Sequence, residues 1–124
     1  DKKMLKSDQI NLITAGSKFN GTVEFTDYTR FEGYISGTLR GLKGCELVIG
    51  ENGVVEGQVE GDIIIVDGFV RGDIKATTKV IISETGRVIG EIQAPSVAIK
   101  FGGYFDGKCA MGMAIFFEAM TIFS

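Results

Sequence analysis

Histidine and tryptophan are absent from this 124-residue chain, proline occurs once and cysteine twice. Without an imidazole base, the Ser-His-Asp and Cys-His forms of nucleophilic catalysis are excluded. Cys45 and Cys109 are too few and too far apart for a disulfide framework or a zinc site, and read as small core residues in a reducing compartment. No run of about 18 apolar residues is present to span a bilayer. There is also no signal-peptide h-region and no Walker-type phosphate loop. The 13 basic and 16 acidic residues are spread along the sequence for a net charge of −3, so nucleic acid finds no basic face. Asp1 stands in place of an initiating methionine and reads as a trimmed start.

What the chain does have is glycine, 18 residues of it, in a sequence that is 44% hydrophobic. That is enough apolar material for the core of one domain, with many tight turns. The glycines are periodic. An apolar residue, any residue, glycine, any residue and a second apolar residue recur as Phe31-Glu32-Gly33-Tyr34-Ile35, Val55-Glu56-Gly57-Gln58-Val59, Val70-Arg71-Gly72-Asp73-Ile74, Val88-Ile89-Gly90-Glu91-Ile92 and Phe105-Asp106-Gly107-Lys108-Cys109. Phe19-Asn20-Gly21-Thr22-Val23 repeats the motif at the start of the series. From Gly33 onward the spacings are 24, 15, 18 and 17; the first is about seven too long and reads as a loop insertion around Arg40 to Cys45. A small-residue column follows four positions after glycine (Gly37, Gly61, Ala76, Ala94, then Met111), and an apolar column nine positions after (Leu42, Val66, Ile81, Ile99).

A repeat of about 17 residues is too short for a helical pair and suits one coil of a β-solenoid. Apolar side chains alternate inward along short strands, small residues turn the corners, and like residues stack about 4.8 Å apart in successive coils. The competing fold is an antiparallel β-sandwich, to which the hairpin dipeptide Asn52-Gly53 would belong. A sandwich gives no reason for three columns to keep register through successive repeats. The expected fold is therefore all-β, a single-domain β-helix over residues 10–111. A flexible arm over 1–9 precedes it and an apolar tail over 112–124 follows, where a helical and a strand period fit equally well.

The residues at this point resemble a family. Ile10-Asn11-Leu12-Ile13-Thr14-Ala15-Gly16-Ser17-Lys18-Phe19-Asn20-Gly21-Thr22-Val23 is similar to the opening of the bactofilins. Glu56-Gly57-Gln58-Val59-Glu60-Gly61-Asp62-Ile63 and Gly90-Glu91-Ile92-Gln93-Ala94 resemble their coil signatures, and Phe105-Asp106-Gly107-Lys108 resembles their closing coil. The resemblance implies a right-handed β-helix that polymerises end to end without nucleotide. It also implies a cytoplasmic scaffold at the inner face of the membrane that supports cell shape, with cell-wall enzymes or other envelope proteins as partners. It further implies an important phenylalanine in the terminal coil, with Phe101 and Phe105 both open as its counterpart. The apolar tail departs from the family's polar one.

No catalytic, cofactor-binding or metal-ligating residue is identified, and the chain reads as a non-enzyme. Hexapeptide acyltransferases fail on period, since glycines 50, 53, 57, 61, 68 and 72 are unevenly spaced, and on their histidine base. The candidate sites are the two ends of the rod, where unpaired strand edges and the apolar cross-section are exposed. Phe19, Val23, Phe25 and Phe31 are assigned to the N-terminal contact; Tyr104, Phe105, Met111, Phe116 and Phe117 to the C-terminal one. Lys2, Lys3, Met4, Leu5 and Lys6 mix basic and apolar residues and form a candidate membrane contact. A β-helical dimerisation or adaptor domain that does not polymerise is the alternative.

Overall fold

The computed structural model describes residues 11–42, 44–110, 114–117 and 121–123, the last two as backbone only. Its elements are all strands: β1 Asn11–Ile13, β2 Lys18–Phe25, β3 Thr29–Phe31, β4 Tyr34–Gly41, β5 Glu46–Ile49, β6 Val54–Val66, β7 Phe69–Ile82, β8 Arg87–Gln93, β9 Ser96–Ile99, β10 Tyr104–Ala110, β11 Ala114–Phe117 and β12 Thr121–Phe123. Every pairing is parallel, each strand lying on the one a coil earlier. This is a β-solenoid of about six turns. Each coil has a long strand, bent at glycine into two straight walls, and a short strand that makes the third wall. In β6 and β7 the long and short strands run on without a break.

The glycine column passes through Gly21, Gly37, Gly57, Gly72, Gly90 and Gly107. Gly37, not Gly33, belongs to it, so the second copy of the repeat is Ile35-Ser36-Gly37-Thr38-Leu39. The spacings become 16, 20, 15, 18 and 17, and the insertion between β4 and β5 is about three residues rather than seven. The reason for glycine is steric as well as conformational. From Gly37 to Gly107 each has φ between 140° and 154°. A Cβ on any of them would lie 1.7–2.0 Å from the carbonyl oxygen of the glycine one coil below.

Side chains two before and two after each glycine point inward and stack. One column runs Phe19, Ile35, Val55, Val70, Val88, Phe105; the next runs Val23, Leu39, Val59, Ile74, Ile92, Cys109. The aromatic partner of Phe105 at the opposite end of its column is therefore Phe19. Phe31 belongs to the third wall, in the column Ile13, Phe31, Ile49, Val66, Ile82, Ile99. Ile82 replaces the expected Ile81 there because β7 carries one extra residue opposite Gly61 to Ile63. Leu42 falls in the insertion, and Ile49 takes its place. The resulting core is a continuous apolar filling, fully buried from Phe31 to Ile99.

Outside the core, polar side chains tie successive coils together. Glu32 reaches up to the next turn, accepting the Asn52 amide at 3.0 Å while Arg30 Nε donates to its other oxygen at 2.6 Å. Gly50 leaves the room for it: a Cβ there would sit 2.2 Å from the Glu32 carboxylate. Burial raises the Glu32 pKa, but the Asn52 amide and Arg30 together outweigh it and hold the carboxyl below its ordinary value.

Candidate assembly surfaces

The N-terminal end is the open edge of β1 and β2. Among the described residues, β1 pairs only with β3 and β2 only with β4, so one side of each backbone has no strand against it. Such an edge is a template for another chain. Three core columns end here, in Ile13, Phe19 and Val23, all partly buried against the core. Phe19 is braced from above by Phe31, with ring centroids 6.1 Å apart and planes tilted 46°. Phe25 is 3% exposed and Phe31 is fully buried one coil above Ile13, so of the four assigned residues Phe19 and Val23 reach the end surface. Gly21 also lies in the open: a Cβ there would meet nothing within 4 Å, unlike every later member of its column.

A polar pair not assigned from the sequence also marks this end. Thr29, fully buried one coil above Asn11 in the column Asn11, Thr29, Leu47, Ile64, Val80, Val97, accepts a hydrogen bond from Asn11 Nδ2 at 3.2 Å and donates to the Asp27 carbonyl at 2.9 Å. The signal was present in Asn11-Leu12-Ile13, where alternation turns Asn11 inward with Ile13 and leaves Leu12 58% exposed. One turn of the solenoid further on, the charged ladder begins. Arg40 donates to Glu24 at 2.9 Å and to Glu60 at 2.8 Å, joining β2, β4 and β6 on the outer surface.

The C-terminal end is built differently. The tail over 112–124 contains two strands that continue the solenoid, β11 on β9 and β12 on the first residues of β10. Tyr104 is half-buried, and Phe105, 2% exposed, continues the core column beneath Ile122 of β12. The rest of β10, Gly107 to Ala110, has no strand beyond it among the described residues, and partly buried Cys109 closes its column. Phe101, in the turn between β9 and β10, is 72% exposed, the most exposed large apolar side chain described. Phe116 and Phe117 lie on β11 in register with Ala98 and Ile99. Met111, and Lys2, Lys3, Met4, Leu5 and Lys6, lie outside the described residues.

No group of three or more potential metal ligands is found among the described residues, and no described helix is long and apolar enough to cross a membrane. Burial pushes both cysteine thiols up, and Cys45 donates to the Leu42 carbonyl at 2.7 Å. Asp62 sits below the usual carboxylate range because it accepts from the Thr77 and Thr78 hydroxyls.

Comparison with known proteins identifies the family. The family described as "Bactofilin: Polymer-forming cytoskeletal" matches residues 11–110. The bactofilin BacP of Myxococcus xanthus is 41% identical over 66 residues, covering 53% of this chain and 28% of the relative. BacO of the same organism is 36% identical over 81 residues, 64% of each. The matches thus span less than two thirds of either relative. No solved structure matches.

Proposed function

The chain belongs to the bactofilin family, a polymer-forming cytoskeletal family, and from that membership we propose that it assembles end to end into nucleotide-independent filaments. The observation that carries this reading is the N-terminal edge. Eleven strand residues, three in β1 and eight in β2, present backbone with no strand beneath it among the described residues, around an apolar floor of Ile13, Phe19 and Val23. Pairing that edge with another copy satisfies the backbone groups and removes the floor from water. At the other end, Phe101 and the uncovered half of β10 supply the second contact. Exposed contacts at both ends extend without closing, whether like meets like or head meets tail.

In this reading the filament is a scaffold supporting cell shape and positioning envelope proteins. It sits in the cytoplasm, with Lys2, Lys3, Met4, Leu5 and Lys6 contacting the inner membrane face. Each basic residue near an anionic surface contributes about 1 kcal/mol. A second reading has support in the asymmetry of the ends: β11 and β12 cover part of the C-terminal face, which would leave discrete N-to-N dimers.

Negative-stain microscopy of purified protein without nucleotide separates the two. Filaments are expected in the wild type. Val23→Glu and Phe101→Asp, which put a carboxylate at one end each, are expected to leave folded short species. Uniform dimers at every concentration and salt condition would reject polymerisation and favour the capped form.

A further inference from the structure

The outer wall ahead of the glycine column carries a patch unlike the rest of the surface. Phe69 and Tyr104 lie in one column, with Arg87 between them in register, and Arg71 and Ile89 form the adjoining column. Arg71 lies over the Phe69 ring and Arg87 over the Tyr104 ring, each 5.9 Å from the centroid. Of the four described arginines, Arg30 and Arg40 are held in ion pairs, whereas Arg71 and Arg87 have no carboxylate partner among the described residues. Ile89, 37% exposed, lies beside both, directly opposite Arg71 on the next strand and two residues beyond Arg87. Aromatic rings, arginine and an exposed aliphatic side chain make up the composition that concentrates binding energy in protein interfaces. Stacking on a ring also fixes a guanidinium before its ligand arrives.

We propose that this wall docks an extended acidic segment of a partner protein. Arg71 and Arg87 are diagonal neighbours on adjacent strands, roughly 8 Å apart at the backbone. Carboxylates two residues apart in an extended chain are separated by about 7 Å. A Glu-x-Glu stretch can therefore place one carboxylate on each guanidinium, with a following apolar residue against Ile89. An anionic bilayer fits less well. The chain is acidic overall, with net charge −3, and Glu56 and Asp106 flank the patch in register with Arg71 and Ile89. These would repel a broad sheet of negative charge but not a single narrow segment.

The test uses the full chain and fluorescence anisotropy. The probe is a labelled peptide repeating Glu-Ser-Glu-Ser-Leu-Ser; controls are its lysine counterpart and phosphatidylserine vesicles. Saturable binding of the acidic peptide, weakening with salt, is expected. R71Q/R87Q should lose about tenfold or more in affinity, as two charge-assisted pairs disappear. K75Q/K79Q, which removes the same charge from the other walls, should leave the affinity within about twofold of wild type. Thermal unfolding confirms that both variants are folded. No binding of the acidic peptide by the wild type, equal losses in the two double variants, or recruitment to vesicles in place of the peptide would each overturn the proposal.

Discussion

The glycine column makes a quantitative prediction that distinguishes its interior from its end. Gly72→Ala places a methyl 1.8 Å from the Gly57 carbonyl oxygen and 2.8 Å from its carbon, both backbone atoms that cannot swing aside. Relief requires the two coils to part by more than about 1 Å there, which takes three or four ladder hydrogen bonds out of range, at about 1 kcal/mol each. Holding alanine at a φ of 140° adds about 1–3 kcal/mol. The total, about 4–7 kcal/mol, rivals the whole stability of an ordinary domain. Gly21→Ala bears only the conformational part, because nothing lies within 4 Å of its Cβ. Urea unfolding followed by far-UV circular dichroism, at dilutions where light scattering reports monomer, measures both. With an m-value of roughly 2 kcal/mol/M, Gly72→Ala should lower the midpoint by roughly 2–3.5 M or prevent folding, and Gly21→Ala by less than about 1.5 M. If the two variants lose equal stability as monomers, the steric account of the column is wrong. At filament-forming concentrations Gly21→Ala should additionally impair assembly, since a second chain stacked under β2 would supply the clash that its own chain does not.

Two further outcomes follow from side-chain contacts. Glu32→Gln should cost about 1–2 kcal/mol at neutral pH, since a neutral amide keeps weaker bonds to Arg30 and the Asn52 amide. The Glu32 pKa is lowered by folding, so its contribution is present above the unfolded value, near 4.5, and is lost as pH falls through the folded one. The gap between wild type and variant in urea midpoints should therefore narrow progressively as pH falls below about 4.5, and a gap that stays constant through the acid range would mean that the carboxylate charge is not what stabilises the turn. Phe31→Ala, at a fully buried position, should cost about 3–5 kcal/mol, whereas Phe19→Ala at the open end should cost less and reduce filament length more. Calorimetry and microscopy on the pair check this, and the reverse ranking would remove Phe19 from the end surface.

The period was legible because the same steric demand recurs in every coil from Gly37 to Gly107 and only glycine meets it. Its phase in the second coil was not. Phe31, Ile35 and Leu39 are spaced four apart with a glycine midway in each gap, so Gly33 and Gly37 satisfy the same pattern. What separates them is three-dimensional: Gly37 has φ 144° and a carbonyl 2.0 Å from its would-be Cβ, while Gly33 keeps an ordinary backbone against Ser17. That single shift carried Phe31 into the wrong column and inflated the insertion. The tail was ambiguous for a different reason. Short apolar runs fit either period until a template strand is supplied, and β9 and β10 supply it in the parallel register.

The same templating explains why the two ends are not equivalent. Each coil is laid on the edge of the one before, and among the described residues no strand lies under β1 and β2, so their lower edges are open. The first coil is adapted to that position: Asn11 and Thr29 satisfy each other where an aliphatic column would otherwise begin, and Gly21 keeps the column open to a further strand. At the other end the chain itself supplies β11 and β12 over part of the last full coil. In the proposed filament a second copy at the N-terminal end meets an edge with no described strand on it, whereas at the C-terminal end it meets an edge already half occupied. If like ends meet in the polymer, the N-to-N joint should be the tighter one and breakage under dilution or shear should fall at the C-to-C joints, whereas uniform breakage at every joint would mean that head meets tail.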